Sequence, residues 1–90
     1  MRVALVCTDK PDSLQLRLDN RPAHMAYIEA TGVVEMAGPF LGADGKMMGS
    51  LIILSVDGLP DARNWAKSDP YAKAGLFEEV DIREWKKVIG

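Results

Sequence analysis

Of the side chains that commonly move protons or attack bonds, this 90-residue chain holds a single histidine, His24, and a single cysteine, Cys7. Histidine is the side chain whose unperturbed charge change falls between about pH 5 and 8, so acid–base chemistry here runs through His24. Cys7 ends the apolar run Val3-Ala4-Leu5-Val6-Cys7 and has no basic neighbour to stabilise a thiolate, so it reads as a buried thiol. A catalytic histidine needs a group that fixes its tautomer and stabilises its charged form. Asp69 is the candidate for that role. Asp69-Pro70 is equally an ordinary helix N-cap. One carboxylate has two oxygens, so the two roles are compatible.

Other chemistries fail on residue count or spacing. One His and one Cys cannot build a zinc site of three or four ligands, and no acidic spacing matches a calcium loop, so no metal is expected. Gly45-Lys46 resembles the end of a phosphate-binding loop, but that motif needs glycine at position 40 and Ser or Thr at 47, where Phe40 and Met47 stand. Neither G-x-G-x-x-G nor the nucleophile elbow G-x-S-x-G occurs. The glycines at 38, 42, 45 and 49 read as turn and strand-kink residues. No cofactor is expected.

The elements that must position His24 follow from periodicity. Arg2 to Thr8 reads as a first strand, broken by Asp9-Lys10-Pro11-Asp12-Ser13. Asp12 or Ser13 can cap a helix that carries Leu14 and Leu18 at i, i+4. Pro22 lacks an N–H and disfavours helical backbone at Arg21, so the helix should stop and restart there with Asn20 or Arg21 as cap. In the restarted helix His24, Tyr27, Ile28 and Thr31 form one stripe, closed by Gly32. Val33 to Phe40 reads as a second strand, and Asp44-Gly45 is a hairpin turn leading to a third, Met47 to Val56. Asp57-Gly58 opens a helix with Pro60 and Asp61 in its first turn and Leu59, Ala62, Trp65 and Ala66 inward. Ser68-Asp69-Pro70 stops it, a short helix spans Pro70 to Ala74, and a last strand spans Leu76 to Trp85 with Val80 and Ile82 on one side.

The order β-α-β-β-α-β predicts an α+β, ferredoxin-like single domain over residues 1–90, with both helices on one face of a four-stranded antiparallel sheet. Leu51-Ile52-Ile53-Leu54 is apolar on both sides of the pleat, which suits a strand buried on both faces. The helices bury only one face, so a second copy packed sheet to sheet is expected on the other. Composition agrees with a small globular domain: 48% apolar and 27% charged residues. A net charge of −2 gives nucleic acid no basic face and gives an anionic membrane no polybasic patch. No signal pattern and no span-length apolar run is present, and a cytoplasmic location is expected.

Arg21-x-x-His24-x-x-Tyr27-Ile28, Gly32, Gly38-Pro39-Phe40-Leu41, Asp44-Gly45, Gly49-Ser50, Asp69-Pro70-Tyr71 and Gly75-Leu76-Phe77 occur in that order. Together they resemble the YciI-like (YCII-related) family over nearly the whole chain. Gly58 departs from it, standing where a serine cap is common. The resemblance implies a ferredoxin-like subunit of a dimeric α+β barrel and a cleft built on a His–Asp pair, here His24 and Asp69. It also implies cofactor-independent proton transfer on a small cyclic or aromatic molecule.

Two readings follow. In the first the chain is a lyase or isomerase, with His24 as general acid/base and Asp69 as its orienter. Arg21 would hold an anionic substrate group if it turns into the cleft, and is otherwise a solvated surface arginine. Ser50 would donate a hydrogen bond from the sheet, and Phe40 and Tyr71 would wall an apolar pocket, although Tyr71 also fits simple packing. In the second the chain is a non-catalytic module that binds a small molecule or serves as an accessory subunit. A His24 nitrogen within about 3.2 Å of an Asp69 oxygen, at the bottom of an open pocket, favours the first.

Overall fold

Alternation in the first strand decides where the core lies. The computed structural model describes residues 1–90 and places β1 at Arg2–Asp9, with Val3, Leu5 and Cys7 all buried on one face. β3 (Met47–Ser55) runs antiparallel beside it, so that Leu5 faces Ile52 and Val3 faces Leu54. β2 (Val34–Leu41) pairs with the other edge of β3, and β4 (Phe77–Trp85) with the other edge of β1. The sheet order is therefore β2-β3-β1-β4, fully antiparallel. β1 lies close against β3 at Gly49, where a Cβ would collide with the Cys7 carbonyl oxygen.

α1 (Leu14–Thr31) and α2 (Leu59–Ser68) cover the Val3/Leu5 face; α3 (Pro70–Lys73) is a single turn after α2. Ala62 and Trp65 of α2 join Val3, Leu5, Cys7, Ile52 and Leu54 in one cluster, with Val80 and Ile82 packed against it as the last strand's alternation predicts. α1 and α2 are clasped by two hydrogen bonds: the Tyr27 hydroxyl donates to the Trp65 carbonyl at 2.8 Å, and the Trp65 indole donates to the Thr31 hydroxyl at 2.9 Å. This is the ferredoxin-like βαββαβ fold. No helix is long and apolar enough to cross a membrane.

The structure corrects the expectation at Pro22. α1 is one continuous helix of 18 residues with Pro22 inside it. An internal proline costs about 3 kcal/mol through the lost hydrogen bond and the ring's clash with the preceding turn. Here the helix is anchored on both sides of Pro22 by buried polar residues, Arg17 before it and His24 after it, whose partners lie on other elements. Those tertiary contacts hold the helix through the break. The start of α1 also differs from expectation. Ser13 occupies the N-cap position, but its hydroxyl donates to the Pro11 carbonyl at 3.3 Å and makes no cap bond. At the other end Gly32, at φ 66°, closes the helix with its N–H on the Ile28 carbonyl, as its position predicts.

Candidate active site

Asp69 sits at a corner. It is the last cap of α2 and the first of α3, and its extended backbone is the conformation that the following Pro70 imposes. Its Oδ1 accepts the Tyr71 backbone N–H at 3.0 Å, an N-cap bond to the second helical residue. The same Oδ1 lies 2.7 Å from His24 Nδ1. The two roles coexist, and one oxygen serves both. Both side chains are buried, at 7% and 2% exposure, so the pair is shielded from competing water. A carboxylate only accepts, so Nδ1 carries the shared hydrogen and Nε2 is the nitrogen left for chemistry.

His24 is held from a second side by Tyr71. The two rings stack with centroids 3.9 Å apart and planes 15° apart, and Phe77 meets Tyr71 edge-on at 5.9 Å. Tyr71 is itself buried, and burial raises its phenol pKa above the ordinary value against the pull of Arg17 and Arg21. Its hydroxyl therefore stays protonated and neutral at physiological pH.

A second buried cluster adjoins this one. Arg17, only 3% exposed, donates from Nε and Nη2 to the two oxygens of Asp9, at 2.8 and 2.9 Å. Its Nη2 also donates to the Ser50 hydroxyl at 2.8 Å, and its guanidinium carbon lies 4.8 Å from the Tyr71 ring centroid. Burial works against the Arg17 charge, but the Asp9 hydrogen bonds and charge outweigh it and raise the pKa above the ordinary value. Cys7 lies near both clusters. Burial, then the Asp69 carboxylate, pushes its thiol up to about 12, so it is a packing residue and not a nucleophile.

Both clusters open on one cavity of about 140 Å³, lined among others by Arg17, Arg21, His24, Ser50 and Tyr71. Four of the six predicted site residues line it: His24, Ser50, Tyr71 and Arg21, the last exposed at its mouth. Asp69 stands behind His24. Phe40 is not brought to this cavity. It pairs across from Gly49, one step out of phase with Pro39 and Ser50, so the pleat turns it to the opposite face of the sheet. There it is 40% exposed and lines a separate hollow with Met36 and Leu51. Sequence reasoning missed Asp9 and Arg17. Two signals carried them: Asp9 continues the inward alternation Val3, Leu5, Cys7, and Arg17 precedes His24 by seven residues, two turns of one helix.

Residues 1–86 match the family described as the YCII-related domain. The chain belongs to that family. A curated relative, Protein YciI of Escherichia coli, is 36% identical over 98 aligned positions that cover 99% of this chain and all of that protein. A protein of Emericella nidulans named derivative of benzaldehyde biosynthesis cluster protein C is 32% identical over 83 positions, covering 80% of this chain and 81% of its own. Among solved structures, 5-chloro-2-hydroxyhydroquinone dehydrochlorinase of Burkholderia phenoliruptrix AC1100, in complex with 2,5-dihydroxybenzoquinone, superposes with a TM-score of 0.88. It is 36% identical and the match covers 96% of this chain and 94% of that one. The ferredoxin-like fold expected from the element order is thus shared with that solved structure.

Proposed function

We propose that this chain is a cofactor-independent enzyme of the lyase or isomerase type, which transfers a proton on a small cyclic or aromatic molecule. The observation that carries this reading is the 2.7 Å contact between His24 Nδ1 and Asp69 Oδ1 beside a cavity that His24 lines. With Nδ1 committed to a carboxylate, Nε2 has the lone pair of a general base. It takes a proton from a ring carbon or hydroxyl, and the electron pair left behind moves into the conjugated ring system. The imidazolium, stabilised by Asp69, then returns the proton to another atom of the same molecule or to a departing group. One positioned base supplies about 10²–10⁴-fold, enough for a ring already activated by its oxygen substituents. The relatives support that substrate class, since one is named for dehydrochlorination of a hydroxylated hydroquinone. A screen of catechols, hydroxyquinones and lactones, with wild type beside His24→Ala, tests the assignment. Turnover is expected from the wild type alone, and equal turnover in the two removes it.

The working form we propose is a homodimer closed through the open sheet face. Val6, Met36, Phe40 and Trp85 are 38–52% exposed on that face. Leu51 and Ile53 lie between them, on the apolar strand that the sequence marks for burial on both sides. Sedimentation at micromolar concentration should find a dimer; a monomer there overturns this point. The lone Cys7 is free and buried, asking for no oxidising compartment, and we assign the enzyme to the cytoplasm.

A further inference from the structure

We infer that Asp9, Arg17 and Ser50 form an oxyanion-holding arm of the site, and that the substrate is a small ring bearing an anionic or strongly polarised oxygen. The inference deepens the proposed proton-transfer reading and rests on it for where the substrate lies.

The geometry has three parts. Arg17 has three guanidinium nitrogens, of which Nε and Nη2 are occupied by Asp9 and Ser50. Nη1 makes none of these bonds, and Arg17 lines the His24 cavity while 97% buried. No buried side-chain nitrogen or oxygen lacks a partner, and the Tyr71 hydroxyl is a further neighbour of this guanidinium, so what favours an anionic acceptor from the ligand is a guanidinium that lines the cavity itself. Next, Ser50 accepts from Arg17 Nη2, so its own hydroxyl hydrogen is free to donate, and Ser50 also lines the cavity. Third, Asp9 grips the guanidinium at two points, so the fork has little freedom and little to lose when a ligand arrives. Exposed Arg21 adds a second positive charge at the mouth.

Two carboxylate-backed arms therefore converge on one cavity. Asp69 backs the imidazole, which exchanges a proton; Asp9 backs the guanidinium, which holds the oxygen where negative charge collects when that proton leaves. Arg17 and Ser50 are binding residues by this account, while Asp9 is a positioning residue that acts through Arg17.

Binding, which needs no turnover, separates this inference from the proposed reaction. The probes are 2,5-dihydroxybenzoquinone and benzoate as anionic rings, and hydroquinone and phenol as neutral ones, titrated calorimetrically into full-length wild type, His24→Ala, Arg17→Lys and Ser50→Ala. The anionic rings should bind in preference to the neutral ones in both wild type and His24→Ala. Arg17→Lys keeps a cation beside Asp9 but loses the fork, and should weaken the anionic rings by about tenfold or more, the size of one hydrogen bond to a charged group. Ser50→Ala should weaken them by a smaller factor and decides the matter if Arg17→Lys does not fold. Equal binding of anionic and neutral rings by wild type, no binding of either, or undiminished affinity in the folded variants overturns the inference. Selective binding with no turnover in any screen would leave it standing and remove only the reaction.

Discussion

The imidazole of His24 lies flat against the ring of Tyr71, with 3.9 Å between centroids and 15° between planes. Nearly parallel stacking at this distance locks the tilt of the imidazole, while the Asp69 hydrogen bond locks its rotation. Tyr71→Phe keeps the ring and should preserve both stability and the orientation of His24. Tyr71→Ala removes a ring that is 2% exposed and should cost about 3–5 kcal/mol in urea denaturation. Equal stability of the two variants would mean that the ring packs less tightly than its burial implies.

Asp69→Asn separates folding from chemistry at one position. An amide oxygen can still accept the Tyr71 N–H, and asparagine caps helices about as well as aspartate. What disappears is the negative charge behind the imidazole. On the substrate found by the screen, turnover should fall by about 10²–10⁴-fold while the melting temperature moves little. A large fall in melting temperature with little change in turnover would make Asp69 a structural cap alone.

Pro22 sits unrelieved inside α1. Pro22→Ala restores an N–H for the helix ladder and removes the ring's clash, so the protein should gain about 1–3 kcal/mol, read as a higher urea midpoint at unchanged slope. A loss of stability would show that the proline contributes by restricting the unfolded chain more than it harms the helix.

Cys7 makes stability depend on alkaline pH. Its thiol is pushed up by burial from an ordinary 9.0 to about 12, so the folded state keeps a proton that the unfolded chain releases first. That contribution is whole below pH 9.0 and is lost as pH climbs toward about 12. The slope can reach about 1.4 kcal/mol per pH unit. Tyr27 and Tyr71 are also raised by burial, from 10.0, so Cys7 should dominate the fall in unfolding free energy between pH 9 and 10. Cys7→Ala should flatten the curve in that window; an unchanged curve would place the proton loss elsewhere.

The strands were legible from sequence to within a residue or so at each end, because alternation along β1 and β4 and the Asp44-Gly45 turn are local signals. His24 and Asp69 were legible as candidates by residue type and by family resemblance. Their pairing was legible only through the family resemblance and the residue types, because no local signal joins positions 45 apart through the packing of α1 on α3. The helix reading failed for a related reason. Local rules weigh Pro22 and the Leu14/Leu18 repeat, yet Leu18 is 43% exposed and the buried position beside it is Arg17. A charged residue is a favourable core residue only when its partners are waiting, and Asp9 and Ser50 come from two other strands. Phe40 misled through the pleat. A role in the pocket needed it in phase with Ser50, and it is one residue out.

That His24 is the only histidine in the chain has a practical use. In an unlabelled proton spectrum its Cε1–H line needs no assignment, and the Tyr71 face 3.9 Å away shifts that line by ring current. Any molecule that enters the cavity, displaces the stack or draws on Nε2 moves a single resonance. Ligand discovery for this protein can therefore begin with mixtures of unmodified metabolites and one peak, before any reaction is known.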